Sequence, residues 1–140
     1  MTLSVKVLLV EDEALISAVL EDVLTEAGYE VATADDGTLA LAQIEANAAN
    51  FRAVVTDIRL GSGTDGWELA QRVREMVPNM PIVYMSGDST HEWASKGVPG
   101  SLLLAKPFAP AQLVTAVSNL VTEATLHAPP PADPETGPDR

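Results

Sequence analysis

The sequence predicts an α/β fold in which a parallel sheet is covered on both faces by helices. Five predicted strands, most of them short apolar runs, alternate with five predicted helices, most of which carry apolar residues at helical spacing. Aromatic residues make up only 4% of the 140 residues and hydrophobic residues 46%, so aliphatic side chains must fill the interior, as in sheets buried on both faces. Such an alternation implies right-handed crossovers and places ligands at the carboxyl edge of the strands.

The first two strand and helix units occupy the N-terminal third of the chain. Residues 5–10 (VKVLLV) are predicted to form a buried strand that stops at a run of three acidic residues. Residues 14–27 carry apolar side chains at i, i+4 and i+8, and Gly28 closes this helix. Residues 29–34 alternate like a strand, and residues 36–47 follow as a helix rich in alanine and leucine.

The middle of the chain predicts two further units. Residues 51–57 contain AVVTD, a second buried strand that ends on an acid, and residues 66–77 are interpreted as the helix that follows it. Two prolines then mark a break. Residues 82–85 form the fourth predicted strand, and a short helix is expected within residues 89–96.

The last unit and the C-terminal segment differ sharply in composition. Residues 101–105 (SLLLA) predict a fifth strand, and Pro110 begins a helix with one apolar face. The segment after this helix is rich in proline and poor in apolar residues, so we expect a domain at residues 1–125 and a disordered, Pro-rich acidic tail at 126–140.

Charge and composition exclude several function classes. The net charge of −12 and the pI of about 4.3 would repel nucleic acid phosphates and anionic lipid, so we expect no direct nucleic acid or membrane partner. Without cysteine, disulfides, a thiolate nucleophile and a cysteine zinc site are all excluded. The sequence shows neither a signal peptide nor an apolar run of the length that spans a bilayer, which predicts a cytoplasmic location.

Three predicted strand ends carry side chains suited to phosphate chemistry. Glu11 and Asp12 follow the first strand, Asp57 ends the third, and Lys106 follows the fifth. Converging carboxylates repel one another, and a hard divalent cation relieves that repulsion, with Mg²⁺ as the best fit and Mn²⁺ as the alternative. An ionised aspartate can attack phosphorus, so Asp57 is the candidate nucleophile, and the Lys106 ammonium would neutralise the transferring phosphoryl group.

Four ordered motifs resemble those of the receiver domain of bacterial two-component response regulators. They are LLVEDE at residues 8–13, VVTDIRL at 54–60, VYMSGD at 83–88 and AKPF at 105–108. The resemblance extends from about Val5 to about Glu123. It implies a flavodoxin-like, doubly wound sheet of five strands in the order 2-1-3-4-5.

The resemblance also implies a role for each site residue. Asp57 would be the phosphoacceptor, Ser86 the switch hydroxyl and Lys106 the phosphate-pairing lysine, with a cis Lys106–Pro107 peptide. The metal ligands would be Asp12, Asp57, the Arg59 backbone carbonyl and, through water, Glu11. The donor would be a sensor histidine kinase or a histidine phosphotransfer protein. The chain would then be a stand-alone switch that assists its own phosphorylation and dephosphorylation, alters binding of an unknown downstream protein and turns over no external substrate.

The chain departs from the family pattern at two places. Leu103 stands where receivers commonly have an aromatic residue that turns inward on phosphorylation, which leaves the outward route of the signal open. Gly61 stands where a proline is familiar, and Gly61, Gly63 and Gly66 together spell G-x-G-x-x-G. That pattern also occurs in dinucleotide sites, but here it does not begin at the strand end, as the fingerprint requires.

Two other functions compete with the switch. A Mg²⁺-dependent phosphohydrolase would need a second acid two residues beyond the nucleophile, where this chain has Arg59, whose side chain we expect to face solvent. A scaffold without phosphorylation is motivated by Leu103 but opposed by Asp57, Ser86 and Lys106. For Trp93, packing under the short helix and contact with a partner stay open.

Overall fold

The computed structural model describes residues 5–61 and 63–127, over which strands and helices alternate as the sequence predicts. The strands are β1 (Lys6–Val10), β2 (Glu30–Ala34), β3 (Ala53–Asp57), β4 (Ile82–Ser86) and β5 (Leu102–Ala105). The helices are α1 (Ala14–Glu26), α2 (Gly37–Ala46), α3 (Gly66–Met76), α4 (Trp93–Lys96) and α5 (Pro110–His127). Because α5 continues to His127, the first two residues of the expected tail are helical, and residues 128–140 lie outside the described residues.

All five strands pair in parallel, in the order β2-β1-β3-β4-β5. This confirms the doubly wound, flavodoxin-like fold that the sequence predicts. The register aligns Asp57 with Met85 and Ser86 with Ala105, so the last residues of β3, β4 and β5 lie along one edge of the sheet. Side chains that are distant in sequence therefore meet at the carboxyl edge.

Alternation along the strands divides the core between the two faces of the sheet. Leu8, Val54 and Tyr84 point to the face covered by α2 and α3, whereas their chain neighbours point to the face covered by α1 and α5. Both sets of strand side chains are fully buried. Burial of each large aliphatic side chain contributes about 1.5–3 kcal/mol, so the two layers hold the strand ends in register.

The segment between β4 and β5 is less helical than the sequence predicts. In place of one helix within residues 89–96, a 3-10 turn at Thr90–Glu92 precedes the four-residue α4. The amide of Glu92 donates to the Ser89 carbonyl at 3.1 Å, a bond over three residues that sets the tighter winding. Only one turn of α-helix then follows before Gly97.

The loop between β3 and α3 explains the glycine pattern in terms of backbone geometry. Gly61 and Gly63 have φ values of 76° and 92°, a backbone conformation that residues with a side chain rarely adopt. Gly66 has an ordinary φ, but its Cα lies against β3: an added Cβ would collide with the Asp57 carbonyl and lie 2.8 Å from the Ile58 Cα. The amide of Gly66 also donates to the Ile58 carbonyl at 2.8 Å. The three glycines therefore serve the turn and the close approach of α3 to the strand that carries Asp57.

Replacing Gly66 by alanine is expected to lower the free energy of unfolding by about 1–3 kcal/mol, the usual cost of forcing atoms into a packed site. The colliding atoms belong to the backbone and cannot rotate away. The matched control is Gly87→Ala, because no heavy atom beyond its two chain neighbours lies within 4 Å of a Cβ added there. Urea unfolding of both variants measures the difference. Equal stability of the two variants would contradict the assigned role of Gly66.

Candidate functional site

Four ionisable side chains converge where β1, β3 and β5 end. The Lys106 Nζ donates to Asp57 Oδ2 at 2.9 Å and lies 3.5 Å from Glu11 Oε1. Asp12 follows Glu11 and completes the acidic group with an exposed side chain. The structure thus brings together the acidic pair, the candidate nucleophile and the lysine that the sequence singled out.

Glu11 has the most unusual environment in this cluster. Only 1% of its surface is exposed, and burial raises its pKa from 4.5 to about 7, which a hydrogen bond from the Glu13 amide partly opposes. The nearby Asp57 charge contributes to this rise, and the Lys106 charge opposes it. Burial lowers the pKa of Lys106 itself, but the hydrogen bond and charge of Asp57 outweigh burial, and the net direction is upward. Lys106 therefore stays protonated, but its single positive charge does not neutralise all of the neighbouring carboxyl groups.

The acidic group fits a hard divalent cation. Glu11, Asp12 and Asp57 each offer a carboxylate oxygen, and these oxygens lie within 4.8 Å of one another. A set made only of oxygens suits Mg²⁺ or Mn²⁺ better than the softer metals that select sulfur or imidazole. Lys106 supplies one positive charge against three carboxyl groups, so a cation would relieve the remaining repulsion. The contribution of the Arg59 backbone carbonyl stays a prediction.

Ser86 ends β4, one residue beyond Met85, the register partner of Asp57, and is 2% exposed. Its Oγ accepts hydrogen bonds from the amides of Asp88 at 3.2 Å and Ser89 at 2.7 Å. The loop after β4 is therefore folded around this hydroxyl group. A hydroxyl that accepts these bonds still has its own hydrogen to donate to a new acceptor beside Asp57.

The Arg59 side chain faces solvent, as expected from the sequence, but it also forms an ion pair that the sequence reasoning missed. Its Nε lies 2.9 Å from Asp88 Oδ2, and the two side chains are 74% and 59% exposed. The hydrogen bond from Arg59 lowers the pKa of Asp88, with a smaller contribution from Ser89. The pair joins the loops after β3 and β4. Opposite charges two residues beyond the ends of adjacent parallel strands were the signal that could have found it.

The aromatic residues beside the site occupy defined places. Tyr84 is fully buried and Trp67 is 5% exposed, with ring centroids 4.7 Å apart. Leu103 is partly buried against the same core. The Trp93 Nε1 donates to Ser101 Oγ at 3.0 Å, although 38% of the residue remains exposed. Trp93 is thus anchored by a hydrogen bond and still partly exposed to solvent.

The start of α3 argues against a dinucleotide site at the glycine loop. Asp65 precedes the helix, and its Oδ1 accepts a hydrogen bond from the Glu68 amide at 2.8 Å. A pyrophosphate needs such amides at a helix N-terminus, free of a competing carboxylate. The carboxylate of Asp65 already occupies that position.

Comparison with known proteins places the chain among signalling domains. The family model described as response regulator receiver domain matches residues 7–118. A response regulator receiver protein from Sinorhizobium medicae WSM419 is 48% identical with a TM-score of 0.82, over 85% of this chain and 95% of that chain. NtrX from Brucella abortus is 30% identical with a TM-score of 0.79, over 89% of this chain and 28% of that chain.

Curated relatives are longer proteins. The nitrogen assimilation regulatory protein NtrX of Azorhizobium caulinodans is 34% identical over 123 residues, which are 86% of this chain and 26% of the relative. The transcriptional regulatory protein TcrA of Mycobacterium tuberculosis is 31% identical over 128 residues, which are 90% of this chain and 49% of the relative. The chain spans half or less of the length of the first curated relatives that it matches. In the described part of the chain, no helix combines the length and apolar character needed to cross a membrane.

Proposed function

Because the chain belongs to the response regulator receiver domain family, we propose that it is a phosphorylation-dependent switch that accepts a phosphoryl group on Asp57. The observation that carries this proposal is the bond from Lys106 Nζ to Asp57 Oδ2 at 2.9 Å, in a cluster completed by Glu11 and Asp12. A carboxylate held in this way has a fixed orientation at the open edge of the sheet. Phosphoryl transfer depends mainly on such positioning and on neutralisation of charge.

In the proposed reaction, a carboxylate oxygen of Asp57 attacks the phosphorus of a phosphohistidine. The phosphorus–nitrogen bond breaks, the electron pair stays on the donor imidazole, and an acyl phosphate forms on Asp57. The Lys106 ammonium stabilises the negative charge of the phosphoryl oxygens during the transfer, and the Ser86 hydroxyl donates a hydrogen bond to the new phosphoryl group. Mg²⁺ or Mn²⁺, held by Asp12, Asp57, the Arg59 carbonyl and, through water, Glu11, would supply further positive charge when bound.

The competing functions fit the site less well. A phosphohydrolase would need an acid where Arg59 stands, and the Arg59 side chain is paired with Asp88. A scaffold that is never phosphorylated would not require a lysine 2.9 Å from Asp57. We therefore propose that the chain assists its own phosphorylation and dephosphorylation and turns over no external substrate.

The partners follow from the same proposal. A sensor histidine kinase or a histidine phosphotransfer protein of a bacterial, cytoplasmic two-component system would supply the phosphoryl group, and an unknown downstream protein would read it. TcrA is a transcriptional regulatory protein, but the charge of −12 opposes direct nucleic acid binding by this chain. Stand-alone action stays a prediction, because the first curated relatives are at least twice as long as the part that this chain matches.

Incubation with acetyl phosphate and Mg²⁺ should add one phosphoryl group to the protein. Intact-mass spectrometry measures the addition, and reduction with borohydride followed by peptide mapping locates the acyl phosphate. Chelation of the divalent cation with EDTA should abolish uptake, because the three carboxyl groups and the incoming phosphate repel one another. Failure to take up phosphate with Mg²⁺, or equal uptake in EDTA, would contradict the proposed function.

A further inference from the structure

The β4–α4 connection gives the Ser86 hydroxyl a short mechanical route to α4. Ser86 Oγ accepts the amide of Ser89 at 2.7 Å, and the Ser89 carbonyl accepts the amide of Glu92 at 3.1 Å. Glu92 is followed at once by Trp93, the first residue of α4. A folded segment of only a few residues, held by these two hydrogen bonds, therefore joins the Ser86 hydroxyl to Trp93.

The indole of Trp93 ties α4 to the segment that leads into β5. Its Nε1 donates to Ser101 Oγ at 3.0 Å, and Ser101 Oγ donates to the Val98 carbonyl at 2.6 Å. The Val98 amide in turn donates to the Tyr84 hydroxyl at 3.1 Å, which returns the chain of hydrogen bonds to β4, two residues before Ser86. The indole also lies so close to Gly97 that a Cβ there would come within 2.7 Å of Nε1.

The relative strengths of the hydrogen bonds made by Ser86 and by Trp93 decide which of them breaks. A phosphoryl group on Asp57 would offer the Ser86 hydroxyl a charged acceptor, and charge-assisted hydrogen bonds are roughly twice as strong as neutral ones. The Trp93–Ser101 bond is neutral, and Trp93 is already 38% exposed, so its release buries no new polar group. Ser101 is 5% exposed, and its Oγ also donates to the Val98 carbonyl, a bond that does not involve the indole.

We propose that Trp93 is the aromatic relay of this receiver: engagement of the Ser86 hydroxyl by a phosphoryl oxygen draws the β4–α4 loop inward, breaks the Trp93–Ser101 hydrogen bond and turns the indole out on α4. The inference rests on the proposed function of Asp57. It supplies an outward route that Leu103 cannot provide, since an aliphatic side chain has no ring to reorient. The relay lies on the helix after β4 rather than on β5.

The indole N–H signals of the protein labelled with ¹⁵N test the relay directly, because the chain has only two tryptophans. The Trp67→Phe variant assigns the two signals, and the exchange measurements use the full chain with both tryptophans. On addition of beryllofluoride and Mg²⁺, the Trp93 indole proton should exchange about tenfold faster, as expected when a protecting hydrogen bond is lost. ¹⁹F NMR reports loading of the site independently.

Two serine variants sharpen the test. Ser101→Ala removes the acceptor of the indole bond, so its Trp93 proton should exchange rapidly without beryllofluoride and change little on loading, while phosphoryl uptake measured by mass is unchanged. Ser95→Ala is the matched control, because Ser95 lies on α4 but its hydroxyl donates only to the Glu92 carbonyl. This control should respond like the wild type.

The outcomes separate the relay from the function on which it rests. A loaded site with an unchanged Trp93 signal would overturn the relay and leave the phosphoacceptor role intact. A site that neither beryllofluoride nor acetyl phosphate loads would overturn both. A Ser95→Ala variant that behaves like Ser101→Ala would also overturn the relay, since the response would then not depend on the Trp93–Ser101 bond.

Discussion

Asp57→Asn is expected to lower the rate of phosphoryl uptake from acetyl phosphate about a thousandfold or more, because the substitution replaces the nucleophile. An amide oxygen carries no negative charge and forms no stable acyl phosphate. The substitution keeps the size of the side chain and leaves an oxygen that can accept the Lys106 bond. Intact-mass spectrometry with Mg²⁺ present gives the rate, and circular dichroism checks that the variant is folded.

The matched control is Asp35→Asn. Asp35 follows β2 at the same edge of the sheet, is exposed and lies outside the acidic cluster. It should take up phosphate at the wild-type rate. Wild-type uptake by Asp57→Asn would assign the phosphoryl group to another residue, and loss of uptake in Asp35→Asn would show that the assay responds to charge at this edge in general.

Lys106→Met should slow phosphoryl uptake about a hundredfold or more, the usual effect of removing one group that stabilises charge in a transition state. Methionine fills much of the space of the lysine stem but has no charge to place beside Asp57. The ammonium lies 2.9 Å from Asp57 and 3.5 Å from Glu11, so the two acids also lose their common cation. Uptake is followed by mass at several acetyl phosphate concentrations, which separates a slower reaction from weaker binding of the donor.

Lys96→Met is the control for this substitution. Lys96 lies on α4, is half exposed and pairs with Glu92 at 3.1 Å, away from the acidic cluster. Its replacement should leave uptake within a factor of about two of the wild type, because exposed ion pairs contribute little. If Lys106→Met kept the wild-type rate, the lysine would have no part in the transfer.

The sequence predicted the order of the elements well because most strands are dominated by apolar residues, β2 alternates, and each long helix has a regular apolar face. The predicted ends of β1 and β3, Val10 and Asp57, are those of the structure. Prediction was weakest between β4 and β5. There the local hydrogen bond from Glu92 to Ser89 winds a 3-10 turn, and no periodic apolar pattern marks it.

The site was predictable to the level of which residues converge, since parallel strands that end on acids bring those acids to one edge. The pairing of Arg59 with Asp88 was not predicted, because it joins two loops whose paths depend on the glycines at 61 and 63 and on the Ser86 turn. The need for glycine at position 66 was also not predictable from the sequence. This need comes from a neighbouring strand rather than from the φ of Gly66 itself.

The sequence by itself predicted the alternation of strands and helices and the acids and lysine at the strand ends, because apolar periodicity and strand-end chemistry are local properties of the chain. The family was indicated by the four motifs that resemble those of receiver domains. Only the tertiary structure decided the environment of each group. Burial raises the pKa of Glu11 to about 7, Lys106 lies 2.9 Å from Asp57, and Trp93 is bonded to Ser101. Desolvation and hydrogen-bond geometry depend on the atoms that surround a group, and those atoms come from segments far away along the chain.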